Sequence, residues 1–235
     1  MRLDTYLSNY NTIQSRNKAS ELIKNKKISI DGKIVTKPSF KINGDEDIII
    51  LEEDFFVSRA AYKLKYFLEE FNINIQNKVA LDIGSSTGGF TQILLRNNIK
   101  NVTCVDVGSN QLHKSIKDDK RIILKENTDI RAFKPDLKYQ LITCDVSFIS
   151  ILNIIESINR LAQNEIIILY KPQFEVGSNV KRDSNGVVLD DISIAKARDT
   201  FIDKTLSLQW KLIHCQKSKL AGKSGNVEEL FYFHL

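Results

Sequence analysis

Five apolar segments of strand length constrain the fold more than any other feature of this 235-residue chain. They lie at 78–82, 101–106, 121–125, 141–145 and 165–170, and helical segments separate most of them. Val, Ile and Leu fill these segments with little alternation between apolar and polar positions, which is typical of strands that are covered on both faces. The sequence therefore predicts an α/β fold around a mostly parallel sheet.

Two further apolar segments, at 210–215 and 229–233, fit an antiparallel hairpin that finishes the sheet. A helix with a broad apolar face is predicted before the first strand, at 58–71. These elements define a domain over residues 58–235, and residues 53–57 are predicted to link it to the preceding part of the chain.

The first fifty residues have a different pattern. Apolar residues at helical spacing predict short helices at 2–10 and 15–25. Asp31-Gly32 between two short apolar segments predicts a tight hairpin, and a strand is expected at 47–51. We therefore expect a small α+β domain over residues 1–52.

The positive charge of the chain is concentrated in this small domain. Residues 1–44 hold nine Lys/Arg and three Asp/Glu, a net charge of +6, whereas the other 25 bases and 26 acids give −1. Such asymmetry favours a polyanion-binding unit attached to a nearly neutral larger one. An ordinary solvated surface is the alternative interpretation.

Several classes of protein are disfavoured by the composition. The chain has no apolar run of about 18 residues and no signal-peptide pattern at its start, so we expect a cytoplasmic protein without membrane association. Cys104, Cys144 and Cys215 lie in apolar segments and are expected to be buried thiols. The three histidines lack metal-ligand spacing, so no metal site is expected. Oligomeric state leaves no pattern in the sequence, and a monomer is the default.

A glycine-rich turn, Asp-Ile-Gly-Ser-Ser-Thr-Gly-Gly at 82–89, follows the first apolar strand of the sheet. Glycines there let the backbone approach a ligand, and the following helix presents free N–H groups. The turn lacks the lysine of a phosphate loop and the spacing of a GxGxxG motif, which disfavours nucleoside triphosphates and NAD. Asp106 ends the next strand, 22 positions after Gly84, where an acid can accept hydrogen bonds from ribose hydroxyls. A purely structural turn with an incidental aspartate is the alternative.

This turn resembles the first motif of class I methyltransferases, which bind S-adenosylmethionine. The resemblance implies a Rossmann-like sheet and a cofactor site. It places the following residues at that site: Asp82, Gly84, Ser85, Ser86, Thr87, Gly88, Gly89, Phe90, Asp106 and Asp129. Asp129 would reach the adenine edge, although a helix N-cap explains this residue equally well.

The small domain resembles the RNA-binding domain of small-subunit ribosomal protein four. The matching segments are 2–4, 15–19, 28–32 and 37–39. The resemblance implies that basic side chains contact RNA phosphates, which provide affinity but little sequence information. These residues are Arg2, Arg16, Lys18, Lys33 and Lys37.

Lys63, Asp145, Lys171 and Glu228 lie at strand ends or on helix faces that otherwise look buried. Singly, each is more often a solvated tip or a helix cap. In this order they resemble the tetrad of FtsJ-type RNA ribose 2′-O-methyltransferases. We assign Lys171 as the base and Asp145 as the group that orients it, although positioning of the hydroxyl remains an alternative because an ordinary lysine is protonated at pH 7. Glu228 is preferred over Glu229 by register with the motif, since strand alternation points the two in opposite directions.

With the RNA-binding domain included, the whole chain resembles the TlyA family, also labelled haemolysin A. The matching segments are 58–64, 85–91, 145–150, 171–177 and 224–228. The resemblance implies S-adenosylmethionine-dependent 2′-O-methylation of a cytidine ribose in ribosomal RNA. The chain is similar to the shorter members, which implies that the large subunit or its RNA is the partner.

Three alternative functions fit the sequence less well. A non-catalytic ribosome-assembly factor would not need the tetrad, and a membrane-active haemolysin would need an insertion element that the sequence lacks. Methylation of DNA amino groups favours Asn/Asp-Pro-Pro-Tyr where this chain has 145–148, Asp-Val-Ser-Phe. The polar stretch between Phe174 and Leu189 is either a substrate-gating loop or a plain surface loop.

Overall fold

The computed structural model describes residues 1–9, 13, 15–51, 56–222 and 224–235. The chain divides into two compact units, 1–55 and 56–235. Of the linker predicted at 53–57, residues 53–55 lie outside the described residues. Phe56 and Val57 are buried in the larger unit, where the Val57 N–H donates to Gln92 Oε1 at 2.9 Å.

The small unit contains two helices and a three-stranded antiparallel sheet. Its elements are α1 (Leu3–Asn9), α2 (Arg16–Lys24), β1 (Ile28–Ile30), β2 (Lys33–Ile34) and β3 (Ile48–Ile50), with the strand order β2-β1-β3. The predicted helices and hairpin are confirmed, although residue 10 lies outside the described residues. Asp31 and Gly32 have φ values of 47° and 75°, the left-handed conformation that a two-residue type I′ turn requires.

Asp4 is a buried charge at the centre of the small unit. Its carboxylate accepts hydrogen bonds from Arg2 Nη2 at 2.8 Å and from Arg16 Nε at 3.1 Å. The Arg2 and Arg16 guanidinium groups hold the pKa of Asp4 well below its usual range. Two of the bases that were predicted to contact RNA therefore pair with Asp4, and the Arg16 pair joins α1 to α2.

The larger unit is a seven-stranded sheet with helices between its strands. Its elements are α3 (Arg59–Glu70), β4 (Val79–Ile83), α4 (Gly89–Arg96), β5 (Asn101–Val105), α5 (Lys114–Lys117), β6 (Ile122–Lys125), β7 (Tyr139–Cys144), a 3-10 helix (Ile151–Asn153), α6 (Ile155–Leu161), β8 (Ala162–Tyr170), α7 (Pro172–Glu175), α8 (Asp191–Ser207), β9 (Lys211–Lys217) and β10 (Glu229–His234). The strand order is β6-β5-β4-β7-β8-β10-β9. β4 to β8 pair in parallel, which confirms the predicted α/β class.

The two closing strands pair antiparallel, as predicted, but β10 lies inside the sheet, between β8 and β9. The last strand of the chain therefore does not lie at the edge of the sheet. Burial explains the order, because Leu230 to Phe233 are all buried whereas β9 is exposed or half-buried along its length. A strand that is apolar on both faces is most stable with a neighbour on each side.

The order of the strands also creates a crevice. β4 and β7 are neighbours, but the chain leaves β4 towards β5 on one side and reaches β7 only after β6. In open α/β sheets, ligands bind outside the carboxyl ends of the strands at such a switch point. The glycine-rich turn follows β4 at this point.

Helices α3 and α4 approach each other closely at Gly89. A Cβ atom on Gly89 would lie 2.1 Å from Ser58 Oγ and 3.0 Å from the backbone nitrogen of Ala61. The glycine is therefore needed for the packing of α3 against the start of α4. Because α3 carries Lys63, this contact also determines where that side chain lies.

We expect Gly89→Ala to lower the free energy of unfolding by about 1–3 kcal/mol, because the added methyl group overpacks the contact between α3 and α4. Chemical denaturation of the full chain measures this loss. Ser58→Ala is the control, since Ser58 Oγ is buried without a hydrogen-bond partner among the described residues. The double variant should regain part of the stability, and an unchanged midpoint for Gly89→Ala alone would contradict the packing argument.

Candidate active site

A cavity of about 650 Å³ opens at the carboxyl ends of β4, β7 and β8. Its volume lies within the range of roughly 300–1,000 Å³ that is common for small-molecule and cofactor sites. Ten of the residues that were predicted from the sequence line it: Lys63, Gly84, Ser85, Ser86, Thr87, Gly89, Phe90, Asp145, Lys171 and Glu228. The fold thus brings the whole tetrad and most of the glycine-rich turn to one place.

The tetrad consists of two ion pairs. Lys63 Nζ contacts the Glu228 carboxylate, and Lys171 Nζ lies 2.6 Å from Asp145 Oδ1. All four side chains are at most 15% exposed. Lys171 Nζ also donates to Ser147 Oγ at 2.9 Å. Each lysine is therefore held in a fixed position by a carboxylate in a largely desolvated cavity.

Local sequence explains the positions of these side chains. Asp145 and Lys171 directly follow β7 and β8, so the parallel sheet places them at the same edge. Pro172 begins α7 and restricts Lys171 to an extended backbone, with φ −123° and ψ 98°. Lys63 lies on the buried face of α3 together with Ala61 and Leu64.

Glu228 and Glu229 have different surroundings in the structure. Glu228 is 3% exposed and faces the cavity, where Gln173 Nε2 donates to its Oε1 at 3.4 Å. Glu229 begins β10, and its Oε2 accepts from Arg198 Nε of α8 at 3.0 Å. The two acids point to opposite sides of the strand, as the alternation of β residues requires.

Asp82, which was predicted at the cofactor site, does not line the cavity. It is fully buried, and it accepts hydrogen bonds from the hydroxyls of Thr91 at 2.6 Å and Thr143 at 2.8 Å. Burial raises the pKa of Asp82 to about 6. The residue therefore joins α4 to β7 beneath the turn.

Three other residues from the predicted cofactor set do not line the cavity. Gly88 has φ +89°, and a Cβ atom on it would lie 2.4 Å from Ile116 Cδ1, so it is needed for packing. Asp106 is next to the turn, where its Oδ2 accepts the Ser86 N–H at 2.8 Å. Asp129 accepts the N–H of Arg131 at 2.8 Å and begins a turn rather than a helix. The Arg131 guanidinium lowers the pKa of Asp129.

Sequence reasoning missed several side chains of the cavity wall, chiefly Ser147, Phe148, Gln173, Phe174 and Arg182. Phe148 is 91% exposed and has φ +66°, which is unusual for a bulky residue and costs of order 1–3 kcal/mol. Its ring centroid lies 5.3 Å from that of Phe174. Four of these five residues lie in motifs that the sequence singled out, but no periodicity shows which side chains face the cavity.

The position of the turn suits a nucleoside cofactor. Residues 84–87 line the cavity, and Asp106 directly follows the neighbouring strand β5. Within the described part of the chain, no group of three His, Cys, Asp or Glu side chains is placed to hold a metal ion. Among the helices that the structure describes, none combines the length and the apolar character needed to cross a bilayer.

Comparison with known families agrees with this geometry. Residues 56–235 match the family described as FtsJ-like methyltransferase, and residues 1–49 match the S4 domain. The fold is thus that of Rossmann-like S-adenosylmethionine-dependent methyltransferases.

Individual relatives narrow the family further. The chain is 49% identical to the 23S rRNA (cytidine-2′-O)-methyltransferase TlyA of Campylobacter jejuni, over 99% of both chains. It is 35% identical to the 16S/23S rRNA (cytidine-2′-O)-methyltransferase TlyA of Mycobacterium tuberculosis, over 97% of this chain and 87% of that protein. A solved Streptococcus thermophilus structure with the hemolysin label has a TM-score of 0.72 and 28% identity, over 100% of this chain and 88% of that one. The chain belongs to the TlyA family of FtsJ-like methyltransferases.

The buried Asp82 generates a pH-dependent stability. Its pKa is about 6 in the folded protein against an ordinary value of 3.8, so its contribution favours folding below about pH 4 and is lost as the pH rises through about 6. Asp82→Asn removes this titration. The stability of the variant relative to the wild type should therefore rise by about 2–3 kcal/mol between pH 4 and pH 7.

Denaturant unfolding of both proteins across this pH range measures the difference. The exposed Asp136→Asn variant shows the general effect of removing one negative charge. A constant difference between Asp82→Asn and the wild type across the range would refute the raised pKa.

Proposed function

We propose that the chain transfers a methyl group from S-adenosylmethionine to the ribose 2′-hydroxyl of a cytidine in ribosomal RNA. The observation that carries this proposal is the presence of two lysine–carboxylate pairs in the same cavity as the glycine-rich turn. The 49% identical relative is named for this reaction on 23S rRNA. Since that alignment spans 99% of both chains, we propose the large subunit or its RNA as the substrate.

S-adenosylmethionine supplies a methyl group that the positive charge on sulfur activates for attack. We propose that the turn side of the cavity binds it, through Gly84 to Thr87, Gly89 and Phe90. Asp106 lies beside this turn and is proposed to accept the cofactor's ribose hydroxyls. Asp129 is proposed for the adenine edge, whereas Asp82 and Gly88 support the turn from behind.

A ribose hydroxyl is a poor nucleophile, so the protein must orient it, exclude water and take up its proton. We assign proton uptake to Lys171, whose Nζ is held by Asp145 and Ser147. The amine can take up the hydroxyl proton only after its ammonium form has released a proton to solvent, because an ammonium group has no lone pair. Lys63 and Glu228 also line the cavity and are proposed to position the ribose. The pairing of each lysine with an acid keeps both side chains in place without an additional net charge.

The aromatic pair of Phe148 and Phe174 supports a nucleic-acid substrate. An exposed aromatic ring at the rim of a catalytic cavity suits stacking by an unstacked base. Strain at Phe148 is consistent with a functional position, since strained residues cluster at such sites.

The small unit supplies the charge for RNA binding. Lys33 and Lys37 are exposed and have no ion pair with any described residue. Lys18 lies 3.3 Å from Glu21, and Arg2 and Arg16 contact Asp4. We therefore propose Lys33 and Lys37 as the bases that are most available to phosphates, with the other three in supporting positions.

None of the three alternative functions is favoured. A non-catalytic assembly factor has no need for the four tetrad side chains that the fold brings together. The relatives that are named for an activity on ribosomal RNA cover almost the whole chain.

Lys171→Ala and Asp145→Ala should each lower methyl transfer by about 10²–10⁴-fold, because proton transfer and orientation of the hydroxyl are both lost. Tritium transfer from labelled S-adenosylmethionine to large-subunit ribosomal RNA measures the rate, and calorimetry should show nearly unchanged cofactor binding. Lys171→Arg keeps the charge but cannot accept a proton, so it should also be inactive. Wild-type rates in the two alanine variants would contradict the roles assigned to Lys171 and Asp145. An active arginine variant would limit Lys171 to positioning the hydroxyl.

Glu228 and Glu229 provide a matched pair of substitutions. Glu228→Gln should abolish most activity because Lys63 loses its carboxylate partner. Glu229→Gln changes the adjacent residue on the opposite side of β10 and should leave methyl transfer near the wild-type rate. Equal losses of methyl transfer in both variants would show that activity depends on the integrity of the strand rather than on the acid that faces the cavity.

Mapping of ribose methylation in ribosomal RNA tests the substrate directly. RNA from cells that lack this protein should lose one or more 2′-O-methylcytidines of the large subunit, and expression of the wild type should restore them. Unchanged methylation, together with no tritium transfer in vitro, would favour the assembly-factor alternative.

A further inference from the structure

The polar stretch after α7 forms a hairpin over residues 181–189. Arg182 and Val188 pair across it, the Leu189 N–H donates to the Lys181 carbonyl at 3.0 Å, and the Asp183 N–H donates to the Val187 carbonyl at 2.9 Å. Arg182 lines the cavity, whereas its neighbour Lys181 is exposed and does not. The 181–189 hairpin is therefore an ordered wall of the cavity with one basic side chain on its inner face.

The hairpin is fixed to the segment that carries Glu228. Asn226 is 4% exposed, and its Oδ1 accepts the Val188 N–H at 3.0 Å. Its Nδ2 donates to the Gly186 carbonyl at 3.2 Å. Because Asn226 precedes Glu228 by two residues, these hydrogen bonds hold the hairpin next to the tetrad.

Arg182 is surrounded by backbone carbonyls rather than by acids. Its Nη1 and Nη2 atoms donate to four carbonyl oxygens, those of Gln173, Gly177, Ser178 and Val180, over 2.6–3.2 Å. Within the described part of the chain, no carboxylate lies at ion-pair distance from it. Carbonyl groups satisfy the N–H donors but do not cancel the charge, so the guanidinium is a preorganised positive charge at the cavity.

The charges of the cavity wall are unequal. Four bases and two acids line it, which leaves a net charge of +2. Lys63 with Glu228 and Lys171 with Asp145 form neutral pairs. The excess therefore comes from Arg182 and from Arg59, whose side chain is exposed and donates to the Ala221 carbonyl at 2.8 Å. A cavity with this excess suits a ligand that carries negative charge beside the reacting group.

We propose that Arg182 binds a phosphodiester group of the acceptor RNA strand next to the target nucleotide, through its positive charge and the Nε–H donor that the four carbonyls leave unused. In an RNA strand at neutral pH, the phosphodiester is the group that carries the negative charge. This inference rests on the proposed function, since it takes RNA as the acceptor. Arg182 contributes to the affinity for the RNA strand, and the tetrad carries the methyl transfer.

Lys181 offers a matched control for the test. Arg182→Gln and Lys181→Gln each remove one positive charge from the same hairpin, but only the first removes it from the cavity side. We expect Arg182→Gln to raise KM for large-subunit ribosomal RNA by about ten-fold. It should also reduce the slope of log KM against log salt concentration by about 0.7–1. The kcat and the affinity for S-adenosylmethionine should stay near wild type, and Lys181→Gln should change KM by less than about two-fold.

Arg182→Lys keeps the charge while losing the four-carbonyl arrangement, and it should retain most of the RNA affinity. This variant also keeps the test decisive if Arg182→Gln fails to fold. Equal KM values and salt slopes for Arg182→Gln and Lys181→Gln would overturn the inference. A fall in kcat or thermal stability at unchanged KM, or an RNA affinity of Arg182→Lys as weak as that of Arg182→Gln, would likewise overturn it by assigning Arg182 a structural role.

The wild-type enzyme separates this inference from the proposed function. If the wild type transfers no methyl group to ribosomal RNA, the proposed function fails, and the Arg182 inference fails with it. If the wild type is active and the Arg182 variants match it, only the inference about Arg182 is overturned.

Discussion

The active site depends on the contact between the carboxyl ends of β4 and β7. A Cβ atom on Gly84 would lie 2.8 Å from the Asp145 carbonyl oxygen, and the Asp145 N–H donates to the Ile83 carbonyl at 3.0 Å. Gly84, with φ +76°, is thus required both for the turn and for this approach. The contact places a residue of the cofactor turn beside an acid of the tetrad. Any side chain at position 84 would separate the two halves of the cavity.

The glycine-rich turn has two physical roles that its sequence does not distinguish. Gly84 to Thr87 line the cavity, whereas Gly88 and Gly89 make room for α5 and α3. Asp82 belongs to the second group, since its carboxylate joins α4 to β7 beneath the cavity. A motif that is associated with a ligand therefore includes residues whose contribution is packing. For this reason Asp82 and Gly88 fall outside the cavity although their neighbours line it.

Pairing of opposite charges organises the rest of the cavity. Removing a lysine or a carboxylate from water is costly unless a partner and further hydrogen bonds compensate. Each tetrad lysine has such a carboxylate, and Lys171 also has Ser147. This desolvation has a catalytic benefit, because fixed groups orient a weak nucleophile better than mobile ones. Arg182 differs from these lysines, because backbone carbonyl groups hold its side chain and do not neutralise its positive charge.

The sequence by itself determined the α/β class, the two units and the type I′ hairpin, and its resemblance to a family predicted the four side chains of the tetrad. Each depends on local periodicity, turn chemistry or motif spacing, and alternation along β10 also separated Glu228 from Glu229. Only the tertiary structure decided that β10 lies inside the sheet, that Asp82 is buried and that Phe148 and Arg182 face the cavity. Lys63 and Glu228 are 165 residues apart in the chain, so their contact depends on how the fold brings α3 and the segment before β10 together rather than on any local preference. Side-chain direction and long-range packing arise from the whole fold, and a linear pattern does not contain them.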